Sequence, residues 1–291
     1  MHRFLVGLAI ICAAGLCRAV QVVDDLGNLV SLPQPAQRIV SLAPHITETL
    51  FAAGAGEQVV AVVSHSDYPE AAQRLPQVGT YTNVNIELLL SFKPDLVVAW
   101  QSGNGPRLIN RLRELGLPLY VTNPQTPEDI AGNLINFGII SGNSATARAV
   151  GAKYSAKLQT LRRNYAGRRK VSTFYQVWND PLVTVNGNHL ISRLITLCGG
   201  HNVFAELPTL APRINPESVL VADPEAIIAS GMGEGRPDWL DMWLTWPGLR
   251  AVNRRHLFYI PPDIVQRHSP RILEGAALLC KQLEQVRRDS L

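Results

Sequence analysis

The residues that could carry out chemistry do not form a familiar catalytic motif. The sequence contains no G-x-S-x-G nucleophile elbow, no H-E-x-x-H zinc motif and no phosphate-binding loop ending in Gly-Lys-Ser/Thr. Gly231, Gly233 and Gly235 do not have the spacing of a dinucleotide-binding loop, and Pro237 stands where its helix should begin. No cofactor and no metal site is predicted, because the histidines beyond the first residues lack metal-ligand spacing. These histidines are His45, His65, His189, His201, His256 and His268.

Aromatic and polar residues instead follow the ends of several predicted strands. Open α/β sheets bind ligands at the carboxyl ends of their strands, and large flat side chains suit a large, partly apolar ligand. Trp100 could alternatively continue a buried strand into the core. Trp239, Trp243 and Trp246 recur at helical spacing and are interpreted mainly as packing residues. The predicted binding residues are His45, His65, Tyr81, Trp100, Trp178, Asp263 and Arg267.

The elements that must position these residues alternate between strand and helix patterns. Such alternation predicts parallel sheets with helices on both faces, preceded here by a hairpin over residues 20–32. The predicted strands are 38–42, 58–63, 96–100, 119–122, 170–176, 226–230 and 257–260. The predicted helices are 46–53, 106–115, one opening at 126, 190–198 and 270–287.

A long helix is predicted over residues 143–167, between the two halves of this pattern. Ser144 or Asn143 can cap its beginning, and Gly167 with the basic run after it suits its end. The apolar residues recur at spacings of four, four, three and four, as on one face of an amphipathic helix. They are Val150, Tyr154, Leu158, Leu161 and Tyr165.

Residues 85–99 and 215–229 share the same order of cap, short helix, helix breaker and strand. Each segment begins with an Asn cap and has Glu in the first helical turn, then a proline–acid pair and a branched apolar run that predicts a buried strand. The repeat predicts two related lobes. The expected organisation is a signal peptide at 1–19, an α/β lobe at 20–142, the interlobe helix at 143–167 and a second α/β lobe at 168–291.

The first residues have the pattern of a signal peptide. An apolar run from residue 4 to residue 16 follows His2-Arg3, and small residues favour cleavage after Ala19. Cys17 could instead carry a lipid anchor, but Leu16 before it is bulky for such a site. We therefore expect an exported, periplasmic protein. Removing Arg3 and Arg18 leaves 25 basic against 23 acidic residues, a net charge of +2, which does not favour nucleic-acid binding.

Two of the 4 cysteines lie outside the predicted signal peptide. Cys198 and Cys280 each end an apolar helical pattern. In an oxidising compartment the simplest prediction is one disulfide between them, and the alternative is a pair of buried free thiols.

Several short motifs are spread over both halves of the chain. They are residues 38–44 (RIVSLAP) with Thr47-Glu48, 66–69 (SDYP), 75–79 (LPQVG), 93–97 (KPDLV), 178–181 (WNDP), 198–200 (CGG) and 269–272 (SPRI). These motifs resemble those of periplasmic substrate-binding proteins of cobalamin, haem and siderophore importers. The resemblance covers essentially the whole mature chain, and the motifs are most similar to those of the cobalamin-binding branch.

This resemblance implies two α/β lobes, each with a mostly parallel sheet, joined by one long rigid helix that allows little lobe motion. It also implies that the seven predicted binding residues surround the ligand, namely His45, His65, Tyr81, Trp100, Trp178, Asp263 and Arg267. Two positions depart from the pattern, since His65 stands where a Tyr is expected and Ala211 where an aromatic residue is expected. An imidazole at His65 could ligate cobalt or haem iron, which is a minor hypothesis.

Glu87 and Glu217 are equivalent acids in the repeat, each in the first turn of a predicted helix. Stabilisation of the helix dipole would explain them without any partner. The resemblance implies instead that one acid per lobe docks onto an arginine of each permease subunit of an ABC importer.

The function expected from the resemblance is therefore capture of cobalamin or a related corrinoid and its delivery to an ABC importer, without catalysis, by a monomer. A haem or iron-siderophore binding protein is the alternative within the same superfamily. An exported tetrapyrrole-processing enzyme is disfavoured, because the sequence shows no nucleophile, acid–base pair or metal constellation.

Overall fold

The structure, a computed structural model, describes residues 19–231 and 235–290. The predicted signal peptide, with Cys12 and Cys17, lies outside the described residues except for its last position. Within the described ranges, no helix is long and apolar enough to cross a membrane.

The first half of the described chain forms an antiparallel hairpin and then a four-stranded parallel sheet in the order β4-β3-β5-β6. Its strands are β1 (Val20–Val23), β2 (Leu29–Leu32), β3 (Ile39–Ser41), β4 (Val59–Ala61), β5 (Leu96–Trp100) and β6 (Leu119–Thr122). Its helices are α1 (Pro44–Ala52), α2 (Ile86–Ser91), α3 (Gln101–Glu114) and α4 (Pro127–Ile140), with 3₁₀ turns at Gly56–Gln58 and Glu70–Arg74.

The helix α5 (Ser144–Tyr165) leads into a second parallel sheet, in the order β10-β7-β11-β12. The strands of this half are β7 (Val171–Gln176), β8 (Trp178–Asn179), β9 (Leu182–Val183), β10 (Gly200–Asn202), β11 (Ala226–Ala229) and β12 (Leu257–Tyr259). Its helices are α6 (Leu190–Leu197), α7 (Pro216–Ala222), α8 (Arg250–Asn253), α9 (Pro262–Val265) and α10 (Ile272–Arg288), with a 3₁₀ helix at Asp238–Thr245.

The two sheets have the same strand order, which confirms the two related lobes predicted from the repeat. Both predicted Asn caps are present. The Asn85 side chain accepts a hydrogen bond from the Leu88 amide at 3.0 Å, and Asn215 accepts one from the Ser218 amide at 2.9 Å. These caps satisfy amide groups that the first turn of a helix leaves without partners.

The acids that follow the repeated helices tie adjacent strands together. Asp95 accepts hydrogen bonds from the backbone amides of Gln37 and Arg38, just before β3. Glu225 does the same for the Ser172 amide in β7. The proline–acid pair of the repeat therefore ends a helix and also sets the alignment of the sheet's two central strands.

One apolar core runs through both lobes. It includes residues of β3, α1 and α4 in the first lobe, of α5, and of α6 and α10 in the second. Two further cores lie on the other faces of the sheets. Because α5 contributes Tyr154, Leu158 and Leu161 to the shared core, it is packed against protein rather than crossing solvent.

The helix α5 confirms the predicted span but differs in detail. Its buried face begins with the small residues Ala147 and Gly151, while Val150 and Tyr165 are only partly buried. Asn143 occupies the N-cap position, one of the two predicted, but its side chain donates to Ser141 rather than accepting from an amide of the first turn. A methyl group at Gly138 of α4 would lie 2.0 Å from the Ala147 Cβ, so a residue without a side chain permits this close helix contact.

Most of the other predicted elements are present, with boundaries shifted by one or two residues. The helix predicted from residue 106 is the regular part of α3, because Gly105 interrupts its helical backbone with a φ of 72°. The strand β10 and the short hairpin of β8 and β9 were not predicted, since neither has a long alternating apolar pattern.

The predicted disulfide is present and the alternative of two free thiols is wrong. Cys198 follows α6, Cys280 lies in α10, and both are completely buried. The Arg287 guanidinium donates to the carbonyl oxygens of Cys198 and Gly199, at 2.6 and 3.1 Å. The helix α10 is therefore attached to the end of α6 both by the disulfide and by these hydrogen bonds.

Replacing both cysteines with alanine is expected to lower the free energy of unfolding. The bond closes a loop of 82 residues, and a loop of that size contributes about 4 kcal/mol through the entropy of the unfolded chain. Urea denaturation of the wild-type chain with and without a reductant measures the effect. The double alanine variant is the control, because it has no disulfide and its unfolding midpoint should not depend on the reductant. If complete reduction left the unfolding midpoint of the wild-type chain unchanged, this estimate would be refuted.

Candidate functional site

The predicted binding residues lie at the carboxyl ends of the parallel strands. His45 is in the first turn of α1, directly after β3, and Trp100 is the last residue of β5. In the second lobe, Trp178 follows β7 and Arg267 follows α9, which comes after β12. These edges are where open α/β sheets bind ligands.

One group of rings joins the two lobes, and we call it the histidine–tryptophan cluster. Its members are His45, Tyr81, Trp100, His189 and His268. The Trp100 ring lies 5.0 Å from His45, 5.9 Å from Tyr81 and 6.2 Å from His268. His268 in turn lies 5.9 Å from His45 and 5.8 Å from His189. The structure therefore brings together three predicted binding residues and adds two histidines that sequence reasoning left unassigned.

The backbone around Trp100 is held by a buried amide. The Asn104 side chain accepts from the Trp100 amide at 2.6 Å and donates to the carbonyl oxygens of Tyr81 and Leu42, at 2.7 and 3.0 Å. A methyl group at Gly103 would lie 1.9 Å from the Trp100 ring, so the indole packs directly on that glycine. Asn104 and Gly103 thus position Trp100 and Tyr81, and neither was predicted.

The histidines of this cluster are held in the neutral form. Burial, and then the positive charge of Arg267, lower the pKa of His45 to about 3. Burial lowers the pKa of His189 to about 4. The pKa of His268 is also well below its usual value, because of burial and of the neighbouring His45 and His189.

Two of these imidazoles have an unpaired nitrogen. His45 is 6% exposed, and its Nε2 atom is buried without a hydrogen-bond partner. The Nδ1 atom of His268 is also buried without a partner. By contrast, the Nδ1 atom of His189 accepts from the Ile191 amide at 3.1 Å. A buried polar atom without a partner is unusual in a folded protein, and each one requires an explanation.

A second group of side chains, the ionic cluster, also crosses between the lobes. It consists of Glu48, Asp67, Asp263, Arg267 and Arg271. The Glu48 carboxylate, whose side chain is only 2% exposed, accepts from Arg267 at 3.0 Å and from Arg271 at 2.7 and 2.9 Å. The Ser269 hydroxyl completes this shell at 2.6 Å.

Arg267 is bound on three sides within this cluster. Besides Glu48 it contacts Asp67 at 2.5 Å and Asp263 at 2.9 Å. The hydrogen bond from Arg267 is the main reason why the pKa of Asp67 lies below its usual value. The Arg271 guanidinium lies 3.8 Å from the centre of the Tyr68 ring. Two guanidinium groups face three carboxylates, so the cluster has no uncompensated positive charge.

Trp178 and His65 stand apart from both clusters. Trp178 donates from its indole nitrogen to the Asp180 carbonyl at 3.0 Å, and its ring lies 6.4 Å from Trp239. His65 is exposed, with a left-handed backbone φ of 63°. Across the described residues, no ring or polar contact joins either side chain to the two clusters. Trp243 is fully buried, which agrees with its predicted packing role, whereas Trp239 lies beside a predicted binding residue.

The repeat's acids Glu87 and Glu217 are exposed in the first turns of α2 and α7. Within residues 19–231 and 235–290, neither carboxylate has an ion-pair partner. In the same ranges, no group of three or more His, Cys, Asp or Glu side chains is arranged to hold a metal ion.

The buried histidines predict an acid-sensitive fold. The unfolded chain binds a proton at His45 with the ordinary pKa of about 6.5, whereas the folded chain resists it, so stability is retained above that pH and lost as the pH falls. Lowering the pH from about 7 to about 5 should cost about 2 kcal/mol through this residue. Urea denaturation at both pH values measures the loss.

The His45→Phe variant is the comparison for this measurement, because its aromatic ring takes up no proton. It should lose about 2 kcal/mol less than the wild-type chain over the same pH interval. An equal loss in both proteins would show that His45 does not resist protonation in the folded chain.

Comparison with known proteins agrees with this architecture. The chain is 36% identical to a vitamin B12-binding protein of Vibrio cholerae over 260 residues, which is 88% of this chain and 92% of that relative. The crystal structure of the periplasmic vitamin B12 binding protein BtuF of Vibrio cholerae matches with a TM-score of 0.81 and 35% identity, covering 87% of this chain and 98% of that one.

A periplasmic haem-binding protein of Roseiflexus matches with a TM-score of 0.73 at 24% identity, over 86% of this chain and 99% of that one, which shows the fold alone. The sequence pattern that defines the periplasmic binding proteins matches residues 39–264. This match spans most of the two lobes described above. The chain is therefore a member of the periplasmic binding protein family.

Proposed function

We propose that this protein binds cobalamin or a related corrinoid in the periplasm and delivers it to an ABC importer, without acting on it as an enzyme. The observation that carries the proposal is the 36% identity, over 88% of the chain, to a protein named for binding vitamin B12. The aromatic and polar residues at the facing sheet edges support it, since a corrinoid is large, flat and partly apolar.

The charge of the ionic cluster favours a corrinoid over haem. Haem carries two propionate carboxylates, which need cations, whereas the side chains around a corrinoid ring end mainly in neutral amides. Arg267 and Arg271 are already neutralised by Glu48, Asp67 and Asp263. Bringing two more carboxylates to this cluster would place like charges close together, which raises the free energy of the complex.

Titration of the purified mature protein with cyanocobalamin, haem and a ferric siderophore tests the cargo. We expect one cyanocobalamin per chain, with haem binding at least about tenfold more weakly, because like charges placed side by side cost several kcal/mol and about 1.4 kcal/mol is already a factor of ten. Calorimetry measures the affinity, and absorbance identifies the bound species.

A Trp100→Ala variant tests whether binding occurs at the proposed place. Loss of this partly buried indole should weaken cyanocobalamin about tenfold, while Trp246→Ala, in the packing of the second lobe, should not. In the titration of the wild-type protein, tighter binding of haem or of the siderophore than of cyanocobalamin would refute the corrinoid proposal. Unchanged affinity in Trp100→Ala would place the site elsewhere.

For docking on the importer we propose Glu87 and Glu217. Each is exposed in the first turn of an equivalent helix, and there is one in each lobe. Two like charges held on related surfaces suit a receptor with two related subunits, each presenting an arginine. Complementary charges of this kind set the orientation of docking and raise the association rate more than they add affinity.

Reversing both charges, with Glu87→Lys and Glu217→Lys together, is expected to abolish uptake of labelled cyanocobalamin in cells that have the cognate importer. The affinity for free cyanocobalamin should stay unchanged, because both residues lie outside the two clusters. Reversal of Glu57 and Glu274, which are also exposed and lie one in each lobe, is the matched control and should preserve uptake. Normal uptake in the first variant would remove these residues from the docking surface.

A further inference from the structure

Three histidines from separate elements meet where the lobes touch. His45 comes from α1 of the first lobe, His189 caps α6 of the second, and His268 lies just before α10. His268 is in the middle, with its ring centre within 6 Å of both of the others, and the Trp100 ring contacts His45 and His268. The lobes therefore meet through imidazoles and an indole at this point, beside the fully paired ionic cluster.

The hydrogen bonding of these histidines is incomplete. The Nε2 atom of His45 and the Nδ1 atom of His268 are buried with no partner. Burial has removed the hydrogen bonds that each atom would form with water, and no protein group replaces them, so each unpaired nitrogen costs free energy. A group that enters between the lobes and pairs with both atoms would recover this free energy.

The tautomer of the third histidine, His189, is fixed by its hydrogen bond. Because His189 Nδ1 accepts from the Ile191 amide, a neutral His189 must carry its proton on Nε2, which is therefore a donor. Low pKa values keep all three rings neutral near pH 7. Neutral His45 and His268 can each present either a donor or an acceptor at the unpaired atom, according to the tautomer.

This set of groups fits an amide better than a carboxylate. A primary amide offers both a carbonyl acceptor and N–H donors, so it can satisfy imidazoles of either tautomer. A carboxylate only accepts, so it can pair only with the donor tautomer of each ring, and burying its charge among neutral imidazoles costs more free energy than burying a neutral amide. Peripheral amides are the groups that distinguish a corrinoid from its carboxylate analogues and from haem.

We propose that His45, His189 and His268 form a subsite that hydrogen-bonds peripheral amide groups of the cargo and selects them over carboxylates. The inference rests on the proposed function, since it assumes that a corrinoid enters between the lobes. In the structure the rings of His45 and His189 each contact that of His268, and cargo binding would exchange these contacts for hydrogen bonds.

The test compares cyanocobalamin with a corrinoid whose peripheral amides are replaced by carboxylates, on His268→Phe and His45→Phe. Each variant should bind cyanocobalamin about tenfold more weakly. Binding of the carboxylate analogue should change little, so the selectivity ratio falls. The ligand-free His268→Phe chain should have a higher melting temperature than the wild-type chain, because an unpaired buried nitrogen has been removed.

Conservative variants and a distant histidine complete the design. His268→Asn and His45→Gln keep a hydrogen-bonding atom near Nδ1 and Nε2 respectively, and they should recover most of the affinity and selectivity. They also serve as the test if a phenylalanine variant fails to fold. His201→Phe, which alters an exposed histidine of β10, should behave as the wild-type chain.

The outcomes separate this inference from the proposed function. If the wild-type chain does not bind cyanocobalamin, the proposed function fails. If the wild-type chain binds it and the His45 and His268 variants retain both affinity and selectivity, then the unpaired nitrogens serve only ordered water, and the subsite is refuted.

Discussion

The buried carboxylate of Glu48 is the interaction on which the arrangement of the lobes depends. A carboxylate with 2% exposure is costly to bury, and that cost is offset only when cations and hydrogen-bond donors surround it. Here all of the donors come from the other lobe, from Arg267, Ser269 and Arg271. Moving the lobes apart would leave these charges without their partners, so the ion pairs of Glu48 hold the first lobe to the second.

A second attachment lies along the interlobe helix. The helix α5 is buried against α4 through Ala147 and Gly138, and its apolar face belongs to the core that continues into α6 and α10. With α5 and Glu48 both connecting the lobes, a wide hinge motion would disrupt an apolar core and an ion cluster together. Such a frame fixes the separation between α2 and α7, which is what the proposed docking through Glu87 and Glu217 would require.

Local physics allowed much of the fold to be predicted. The Asn caps, the proline–acid pairs and the apolar runs act within a few residues, and the repeat was therefore visible in the sequence. The partners of Glu48 could not be found in this way, because more than two hundred residues separate it from Arg267. His268 was also missed, since no spacing in the sequence indicates that a histidine before α10 contacts one in α1. Trp178 and His65 were placed correctly near strand ends, but their contacts depend on loop conformations that strand patterns do not specify.

Under the proposed function, the identity of the cargo would depend on the few groups that face it rather than on the shared fold. The haem-binding relative from Roseiflexus has the same two-lobed architecture, so that architecture accommodates different flat ligands. In this chain the two arginines at the lobe contact are outnumbered by carboxylates, and the nearby imidazoles are neutral and incompletely paired. If the proposed cargo binds here, such a surface would discriminate through the penalty that it imposes on an anionic ligand, a penalty that a neutral, amide-bearing ring avoids.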